Sequence, residues 1–315
     1  MNKINFDEVF DVVIIGGGPV GIYGAYLAHI KGLKAILVEA NAYLGGQPVI
    51  LYPQKSIHDY PMFHDIKAHD LVQHLINNLQ VSNTPTLLET KILSVTYTDN
   101  YYTCTTNTNA IKAHNIIIAT GAGMFTPNLL QIPGVSHTNT QYTIDEIEKY
   151  KDKRVVILGG GDSAVDWANE FKKQQITEHV TLIHRRDQFR ANGVNVDNLQ
   201  KHKVNVILNS APVEIKGKEL IIKNLLTNVE DKIDFDIIIV QYGQTIDVHG
   251  LNIFENLKLD ETNKIIVDQA QKTNIPHIYA AGNSCNYTNR PGTIITGHGE
   301  VAIAINCIVN EKKDK

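Results

Sequence analysis

The sequence predicts an α/β fold in which one parallel-sheet domain is inserted into another. Two similar segments indicate this, because each is a short apolar run followed by a glycine-rich turn and a helical stretch. The first run covers Asp11 to Ile15, and the second covers Arg154 to Leu158. Runs of this kind are typical of parallel strands buried on both faces. The length of 315 residues also exceeds what a single core usually fills.

Composition narrows the class of protein. Hydrophobic residues make up 43% of the chain and charged residues 20%, which is typical of a folded globular protein. The net charge of −4 gives no general attraction to nucleic acid or to an anionic membrane, so we expect neither as a partner. The start of the chain is mixed and partly acidic, unlike a secretory signal, which favours a cytoplasmic location. Cys104, Cys285 and Cys307 are far apart and show no CxxC or zinc-ligand spacing, so we expect no metal site.

The first glycine-rich turn has the features of a dinucleotide site. It reads GxGxxG over Gly16, Gly18, Pro19 and Gly21, between a strand and a helix. In such a turn the first glycine permits the tight bend, the second lets the backbone approach a pyrophosphate, and the third lets the helix pack closely. Glu39 ends the next strand, where a carboxylate can accept hydrogen bonds from both ribose hydroxyls. A plain glycine-rich turn is the alternative interpretation.

The second turn repeats the pattern with a different ending. It reads GxGxxA, with Gly159, Gly161, Asp162, Ser163 and Ala164 as its candidate contacts. The strand that follows, 179–183, ends in basic residues in place of an acid. These are His184, Arg185, Arg186 and, slightly further on, Arg190. Guanidinium groups at this position can bind a 2′-phosphate, so the turn predicts NADP rather than NAD, against the alternative of a solvated basic turn.

Later strands define the domain boundaries. Apolar runs at 115–120, 235–240 and 278–281 predict strands, and a final helix is predicted from about Gly299 to Val309. We therefore expect a first domain of residues 1–118 and 245–315 and an inserted domain of residues 119–244. The joining segments, 119–125 and 241–247, would act as a hinge.

Together these segments resemble the thioredoxin-reductase-like flavoproteins. The matching stretches are VVIIGGGPVG at 12–21, ATGA at 119–122, GGGDSAVDWA at 159–168, HRRDQFRA at 184–191 and YAAGN at 279–283. Within this family the chain is most similar to the ferredoxin–NADP reductase branch. Thioredoxin reductases carry a redox CxxC before the second glycine motif, whereas residues 140–153 of this chain contain no cysteine. The segment from Leu51 to Lys55 is also similar to that branch.

The resemblance implies two Rossmann-like domains, with FAD in the first and NADPH in the second. It also implies individual FAD contacts. These are Glu39 at the adenosine ribose, Gln47 at the flavin, Tyr52 stacked on the isoalloxazine, Ile92 at the adenine through its backbone, Phe125 at the flavin near the hinge, and Asn283 at the ribityl chain. Asn283 stands where the family usually has aspartate. A homodimer formed mainly through the FAD domain is implied as well.

The implied activity is that of a ferredoxin–NADP(+) reductase, which passes electrons between NADPH and ferredoxin or flavodoxin without an internal disulfide. Two alternatives stay open. The chain stops at Lys315, soon after its last helix, and a bare second flavin face would suit a diaphorase-type reductase of quinones, free flavins or ferric complexes. The second alternative is a flavin-bound NADPH sensor with negligible turnover, which is suggested by Asn283 in place of the usual aspartate.

Overall fold

The computed structural model describes residues 4–53, 55–121, 123–144, 147–247 and 251–313. In these ranges the α-helices are α1 (Pro19–Ile30), α2 (Gln47–Leu51), α3 (Ala68–Ser82), α4 (Asp162–Lys173), α5 (Gly193–Lys201) and α6 (Ile294–Lys313). The strands are β1 (Val9–Ile15), β2 (Ala35–Val38), β3 (Ser56–Ile57), β4 (Ile66–Lys67), β5 (Thr86–Leu87), β6 (Ile92–Thr98), β7 (Tyr101–Thr106), β8 (Ala110–Ile118), β9 (Met124–Pro127), β10 (Thr140–Gln141), β11 (Val155–Gly159), β12 (Val180–Ile183), β13 (Asn205–Ile207), β14 (Ser210–Lys216), β15 (Glu219–Asn224), β16 (Glu230–Asp234), β17 (Ile237–Gln241), β18 (Gln244–Asp247), β19 (Ile265–Ile266), β20 (Ile278–Ala280) and β21 (Cys285–Asn286).

These elements form two compact units. Unit 1 contains the described residues of Met1–Met124 and Ile246–Lys315, and unit 2 contains those of Phe125–Thr245. In the sequence, unit 2 is therefore inserted between the two segments of unit 1. The strands β9 and β18, which pair with each other, lie where the chain crosses from one unit to the other.

The main sheet of unit 1 has the strand order β5-β2-β1-β8-β7-β6, and β20 also pairs with β8. Strands β5, β2, β1, β8 and β20 are parallel. In this register Ile15 of β1 lies opposite Val38 of β2 and Ile118 of β8, and Ala280 of β20 also lies opposite Ile118. The carboxyl ends of these strands therefore meet at one edge of the sheet, where open α/β sheets bind their ligands.

Successive residues of β1 are buried on opposite faces of this sheet. Val12 and Ile14 lie in a core with helices α1, α3 and α6, whereas Val13 lies in a second core on the other face. Tyr102 of β7 and Phe254 contribute to this second core. Because both faces are covered, β1 is apolar nearly throughout and does not alternate with polar residues.

Unit 2 is built on a parallel sheet with the order β10-β17-β11-β12-β13. Leu158 of β11 lies opposite Ile183 of β12 and Val240 of β17. Helices α4 and α5 cover one face, and the core on the other face includes Leu220 and Ile222 of the antiparallel sheet β14-β15-β16.

The predicted fold class is confirmed, since each unit has a parallel sheet in which a glycine-rich turn connects a strand to a helix. One predicted element begins earlier than expected. The last helix starts at Ile294 instead of near Gly299, and Gly297 lies inside it. A Cβ on Gly297 would lie 2.5 Å from Cγ2 of Val20, so this glycine allows α6 to pack against α1. Within the described residues, no helix is both long enough and apolar enough to cross a bilayer.

Candidate functional site

The first glycine-rich turn is closely packed at two glycines and open at a third. Gly16 has a φ of +109°, and a Cβ there would lie 2.5 Å from the carbonyl oxygen of Ala119. A Cβ on Gly21 would lie 1.8 Å from the carbonyl oxygen of Gly16. A Cβ on Gly18 would meet only the Cα of Gly46, at 3.9 Å. The backbone at Gly18 is therefore accessible to a ligand, as a pyrophosphate site requires.

The helices that follow both turns begin without a side-chain cap. Helix α1 has Gly18 as its N-cap, Pro19 at its first position and no acidic residue in its first turn. Helix α4 has Gly161 as its N-cap, and no atom would lie within 4 Å of a Cβ there. Asp162 begins α4, and its Oδ1 accepts the backbone N–H of Asn192 at 2.9 Å. Uncapped N–H groups and the positive end of the helix dipole favour an anion at both sites.

Glu39 follows β2 and is buried, with 7% of its surface exposed. Its Oε2 accepts the N–H of Gly17 at 2.6 Å, and its Oε1 accepts the backbone and side-chain N–H groups of Asn41 at 2.7 and 2.8 Å. A carboxylate has about four acceptor positions, so capacity remains for a ligand hydroxyl. The carbonyl of Glu39 also accepts the N–H of Thr90 at 2.9 Å, which brings the start of β6 and the buried Ile92 close to this acid.

Two of the predicted flavin contacts belong to the α2 segment. Gln47 begins α2, and its Nε2 lies 3.5 Å from the position of a Cβ on Gly121, just beyond β8. Tyr52 follows α2 and is half-buried; burial, followed by the charge of Asp59, raises the pKa of its phenol. Tyr52 is therefore an uncharged aromatic group at neutral pH. Phe125 belongs to β9, and its side chain lies outside the described part of the molecule.

Asn283 follows β20 and contacts a buried ion pair. Arg290 donates from Nε to Oε1 of Glu300 at 2.7 Å and from Nη2 to Oε2 at 3.0 Å, and both side chains are 2% exposed. Glu300 also accepts the N–H of Gly282 at 2.7 Å and the hydroxyl of Tyr287 at 2.9 Å. Nη1 of Arg290 donates to Oδ1 of Asn283 at 3.3 Å. Arg290 and Glu300 belong to no spacing motif, so the sequence alone does not indicate this contact.

His298 connects three segments of unit 1. Its Nε2 lies 3.2 Å from the carbonyl oxygen of Pro19, which can only accept, so Nε2 carries the proton. The hydroxyl of Tyr60 then donates to Nδ1, at 3.1 Å, and the ring packs against Tyr23 with centroids 4.7 Å apart. Burial lowers the pKa of His298 to about 4. The imidazole is therefore neutral at pH 7 and holds α1, α6 and the loop before β4 together.

In unit 2, the arginines after β12 are exposed. These arginines are Arg185, Arg186 and Arg190. Among the described residues, no carboxylate forms an ion pair with any of their guanidinium groups. The N–H of Arg190 donates to the carbonyl of Gly160 at 2.8 Å, so this basic segment is attached to the second glycine-rich turn. Three unpaired guanidinium groups beside the turn suit a phosphate ester.

His184 is buried beneath the second glycine-rich turn, whereas the neighbouring arginines are exposed to solvent. It is 7% exposed, and a Cβ on Gly160 would lie 2.2 Å from its ring. Its Nε2 donates to the carbonyl oxygen of Gln188 at 3.1 Å, and the ring stacks on Phe189 at 5.4 Å. Burial lowers the pKa of His184, and the nearby arginines lower it further. Ala164 is fully buried, whereas Ser163 is exposed in the first turn of α4.

The cysteines are separate thiols. Cys104 and Cys285 are buried, Cys307 is partly buried, and all three are free. Burial raises the pKa of Cys104 and of Cys285 to about 12, so both are protonated at neutral pH. Within the described residues, no group of histidine, cysteine or acidic side chains could hold a metal ion.

The sequence of this chain is similar to that of known oxidoreductases over almost its full length. The family model described as pyridine nucleotide-disulphide oxidoreductase matches residues 10–300. The ferredoxin–NADP reductase of Malacoplasma penetrans is 37% identical over 317 residues, which cover 98% of each chain. The ferredoxin–NADP reductase of Streptococcus sanguinis is 38% identical over 309 residues, which cover 96% of this chain and 94% of the relative.

Solved structures give the same result for the fold. The Lactococcus lactis thioredoxin reductase, in its FR conformation, matches with a TM-score of 0.75 at 27% identity and covers 96% of this chain and 99% of its own. The bacillithiol disulfide reductase of Staphylococcus aureus matches with a TM-score of 0.73 at 19% identity, covering 97% of this chain and 99% of its own. The chain therefore belongs to the pyridine nucleotide-disulphide oxidoreductase family, in the group of bacterial ferredoxin–NADP reductases that its motifs predict.

Proposed function

We propose that this chain is an FAD-dependent reductase that passes electrons between NADPH and ferredoxin. One contrast within the molecule supports this most directly. The acidic Glu39 follows the second strand of one glycine-turn unit, whereas exposed arginines, which have no carboxylate partner within the described ranges, follow the second strand of the other. An acid suits a free ribose and arginines suit a 2′-phosphate, so the units differ in the dinucleotide that they accept. The full-length relatives of the chain carry the name ferredoxin–NADP reductase.

Unit 1 would hold FAD. The backbone at Gly16, Gly18, Pro19 and Gly21 would bind the pyrophosphate, with Glu39 at the ribose. The other contacts that we propose within unit 1 are Gln47, Tyr52, Ile92 and Asn283, and the contact from Phe125, which belongs to unit 2, stays a prediction from the sequence. When bound, the flavin supplies two-electron chemistry toward a nicotinamide and one-electron chemistry toward an iron–sulfur protein. The neutral phenol of Tyr52 would cover one face of its ring system and limit access of water there.

Unit 2 would hold NADPH. Gly159, Gly161, Ser163 and Ala164 form the turn and first helical residues that would receive the pyrophosphate. The guanidinium groups of Arg185, Arg186 and Arg190 would bind the 2′-phosphate. Asp162 and His184, which we predicted as direct contacts, are assigned a positioning role. The reason is that Asp162 holds the N–H of Asn192 and His184 lies beneath the turn.

The proposal also covers a second electron partner, the oligomeric state and the cellular location. Flavodoxin would serve as an alternative partner, because it also takes up one electron at a time. The chain would act as a homodimer that associates through unit 1, as its resemblance to the thioredoxin-reductase-like flavoproteins implies. It would act in the cytoplasm, where its three free thiols stay reduced. Light scattering of the purified chain tests the dimer, and a monomer at working concentrations would contradict it.

Anaerobic reduction by NADPH, followed by titration with ferredoxin, tests the proposed function. The purified chain should be yellow, should bleach with NADPH, and should reduce cytochrome c faster when ferredoxin is added. A colourless protein that added FAD does not reconstitute would overturn the proposal. Faster turnover with quinones, free flavins or ferric complexes than with ferredoxin would favour a diaphorase. Thioredoxin-dependent disulfide reduction by this chain alone would contradict the proposed acceptor.

A further inference from the structure

We propose that Arg290 is a positioning residue for the flavin cofactor, which fixes the side chain of Asn283 so that its amide NH₂ group faces the ligand. This inference rests on the proposed function, because it assumes that unit 1 binds FAD. It assigns a role to Arg290 and a specific hydrogen-bonding direction to Asn283.

The position of Arg290 is fixed by Glu300. The guanidinium and the carboxylate form two parallel hydrogen bonds, and both side chains are 2% exposed. The carboxylate is held in turn by the N–H of Gly282 and the hydroxyl of Tyr287. A bidentate pair of this kind has one favoured geometry, so the remaining Nη1 of Arg290 points in a set direction.

That direction determines which end of Asn283 is free. Nη1 lies 3.3 Å from Oδ1 of Asn283. A guanidinium has donors and no acceptor, so only the oxygen of the amide can face it. Because the amide group is planar, fixing Oδ1 also fixes Nδ2, which has no hydrogen-bond partner among the described residues. The partly exposed Asn283 therefore offers two N–H donors to whatever lies beside it.

Asn283 lies beside the uncapped start of α1. A Cβ on its neighbour Gly282 would lie 3.1 Å from Cγ2 of Val20, in the first turn of that helix. It also follows β20, at the edge where the carboxyl ends of the parallel strands meet. The ligand atom that meets Asn283 should thus be a hydrogen-bond acceptor, such as a ribityl or phosphate oxygen. An aspartate at the same position could only accept and would add a negative charge.

A double-mutant cycle in the full-length chain tests whether Arg290 acts through Asn283. Arg290→Lys keeps a positive charge for Glu300 but loses the planar fork that also reaches Asn283. The dissociation constant of FAD, measured by the fluorescence of FAD released on dilution, should rise about tenfold in Arg290→Lys and in Asn283→Ala. The double variant should bind FAD as weakly as Asn283→Ala and no more weakly. The visible spectrum of the bound flavin should shift in Arg290→Lys.

Two further variants complete the test. Arg154→Lys makes the same chemical change at an arginine of unit 2 that pairs with Asp236, and it should leave FAD binding unchanged. Asn283→Asp keeps an oxygen for Arg290 and removes the donors, so it should bind FAD more weakly than the natural chain. It also decides the question if Arg290→Lys does not fold.

Two results would overturn the inference. One is an equal loss of affinity from Arg290→Lys whether position 283 holds asparagine or alanine, since Arg290 would then act independently. The other is Asn283→Asp binding FAD as tightly as the natural chain. If the natural chain binds no FAD, the proposed function itself fails, and this result is visible before any variant is measured.

Discussion

Glu39 and Gly17 are joined by a 2.6 Å hydrogen bond between the carboxylate Oε2 and the backbone N–H. The acid at the end of β2 therefore also fixes the glycine-rich turn after β1, while Oε1 holds Asn41. Glu39 consequently supports the turn even before a ribose contacts it. A change at this residue should affect both the stability of unit 1 and its affinity for FAD.

Glu39→Gln separates these contributions. A glutamine has one acceptor oxygen, so its NH₂ group must face one of the donors that Glu39 now satisfies, at a cost of about 1–3 kcal/mol. We expect a lower melting temperature and a roughly tenfold weaker FAD affinity. Thermal unfolding and FAD titration measure both. Glu214→Gln, at an exposed ion pair with Lys216, is the control and should change neither quantity.

Replacing Arg185 and Arg186 together with alanine should reduce the preference for NADPH. Each lost charge-assisted contact to a 2′-phosphate is worth about 1.5–3 kcal/mol, so each arginine removed should lower kcat/KM for NADPH by roughly tenfold to hundredfold, and the two losses should multiply. The kcat/KM for NADH, which lacks that phosphate, should change little. Steady-state kinetics with both nucleotides measure the ratio. Equal losses with NADPH and NADH would show that these arginines do not read the phosphate.

Two neighbouring glycines of unit 2 should respond differently to alanine. A Cβ on Gly160 would lie 2.2 Å from the His184 ring, so Gly160→Ala should destabilise unit 2 by about 1–3 kcal/mol. His184→Ala in the same chain should recover part of that loss by removing the clash. Gly161 has ample space and a φ of −95°, so Gly161→Ala should fold normally and bind NADPH less tightly. Thermal unfolding and NADPH titration separate the two effects, and equal destabilisation by both changes would contradict the assignment.

The buried His298 should make the stability of unit 1 depend on pH. Its pKa is lowered to about 4 by burial, against about 6.5 in an unfolded chain, so the unfolded state binds the extra proton first as pH falls. The stabilisation is complete above about pH 6.5 and is lost as pH falls toward 4, by up to about 3 kcal/mol. Melting temperatures between pH 7 and pH 4.5 should therefore fall less steeply in His298→Phe. His114→Gln, at an exposed histidine, should keep the natural slope.

The sequence predicted the elements whose signal is local. Both strand–turn–helix segments lie within a few residues of their predicted bounds, because the apolar run, the glycines and the helix are contiguous. Helix α6 was predicted to begin too late, since Gly297 looks like a helix breaker until its contact with Val20 is known. The antiparallel sheet β14-β15-β16 was not predicted, and its inner face is buried only by packing on the parallel sheet of unit 2.

Some residues of the candidate site could be predicted from the sequence, whereas others could be found only from the folded structure. Gly16, Gly21 and Glu39 could be named as candidates from the sequence because their spacing is that of a known motif. Whether a residue of the motif faces the ligand or supports the turn depends on packing, so the sequence alone does not separate these two roles for His184. The pairing of Arg290 with Glu300 has no sequence signal, because a loop and the helix after it must fold before the two charges meet.

The chain order of unit 1 also determines when the protein can fold during synthesis. Strand β20 completes the parallel part of the sheet beside β8, and Val301 and Ile305 of α6 fill the core around Ile14. Strand β20 and helix α6 are translated after unit 2, whereas β8 and Ile14 are translated before it. The ribosome thus releases a complete unit 2 first, while the earlier half of unit 1 keeps apolar surface uncovered. The last helix must therefore emerge before the core around Ile14 can close.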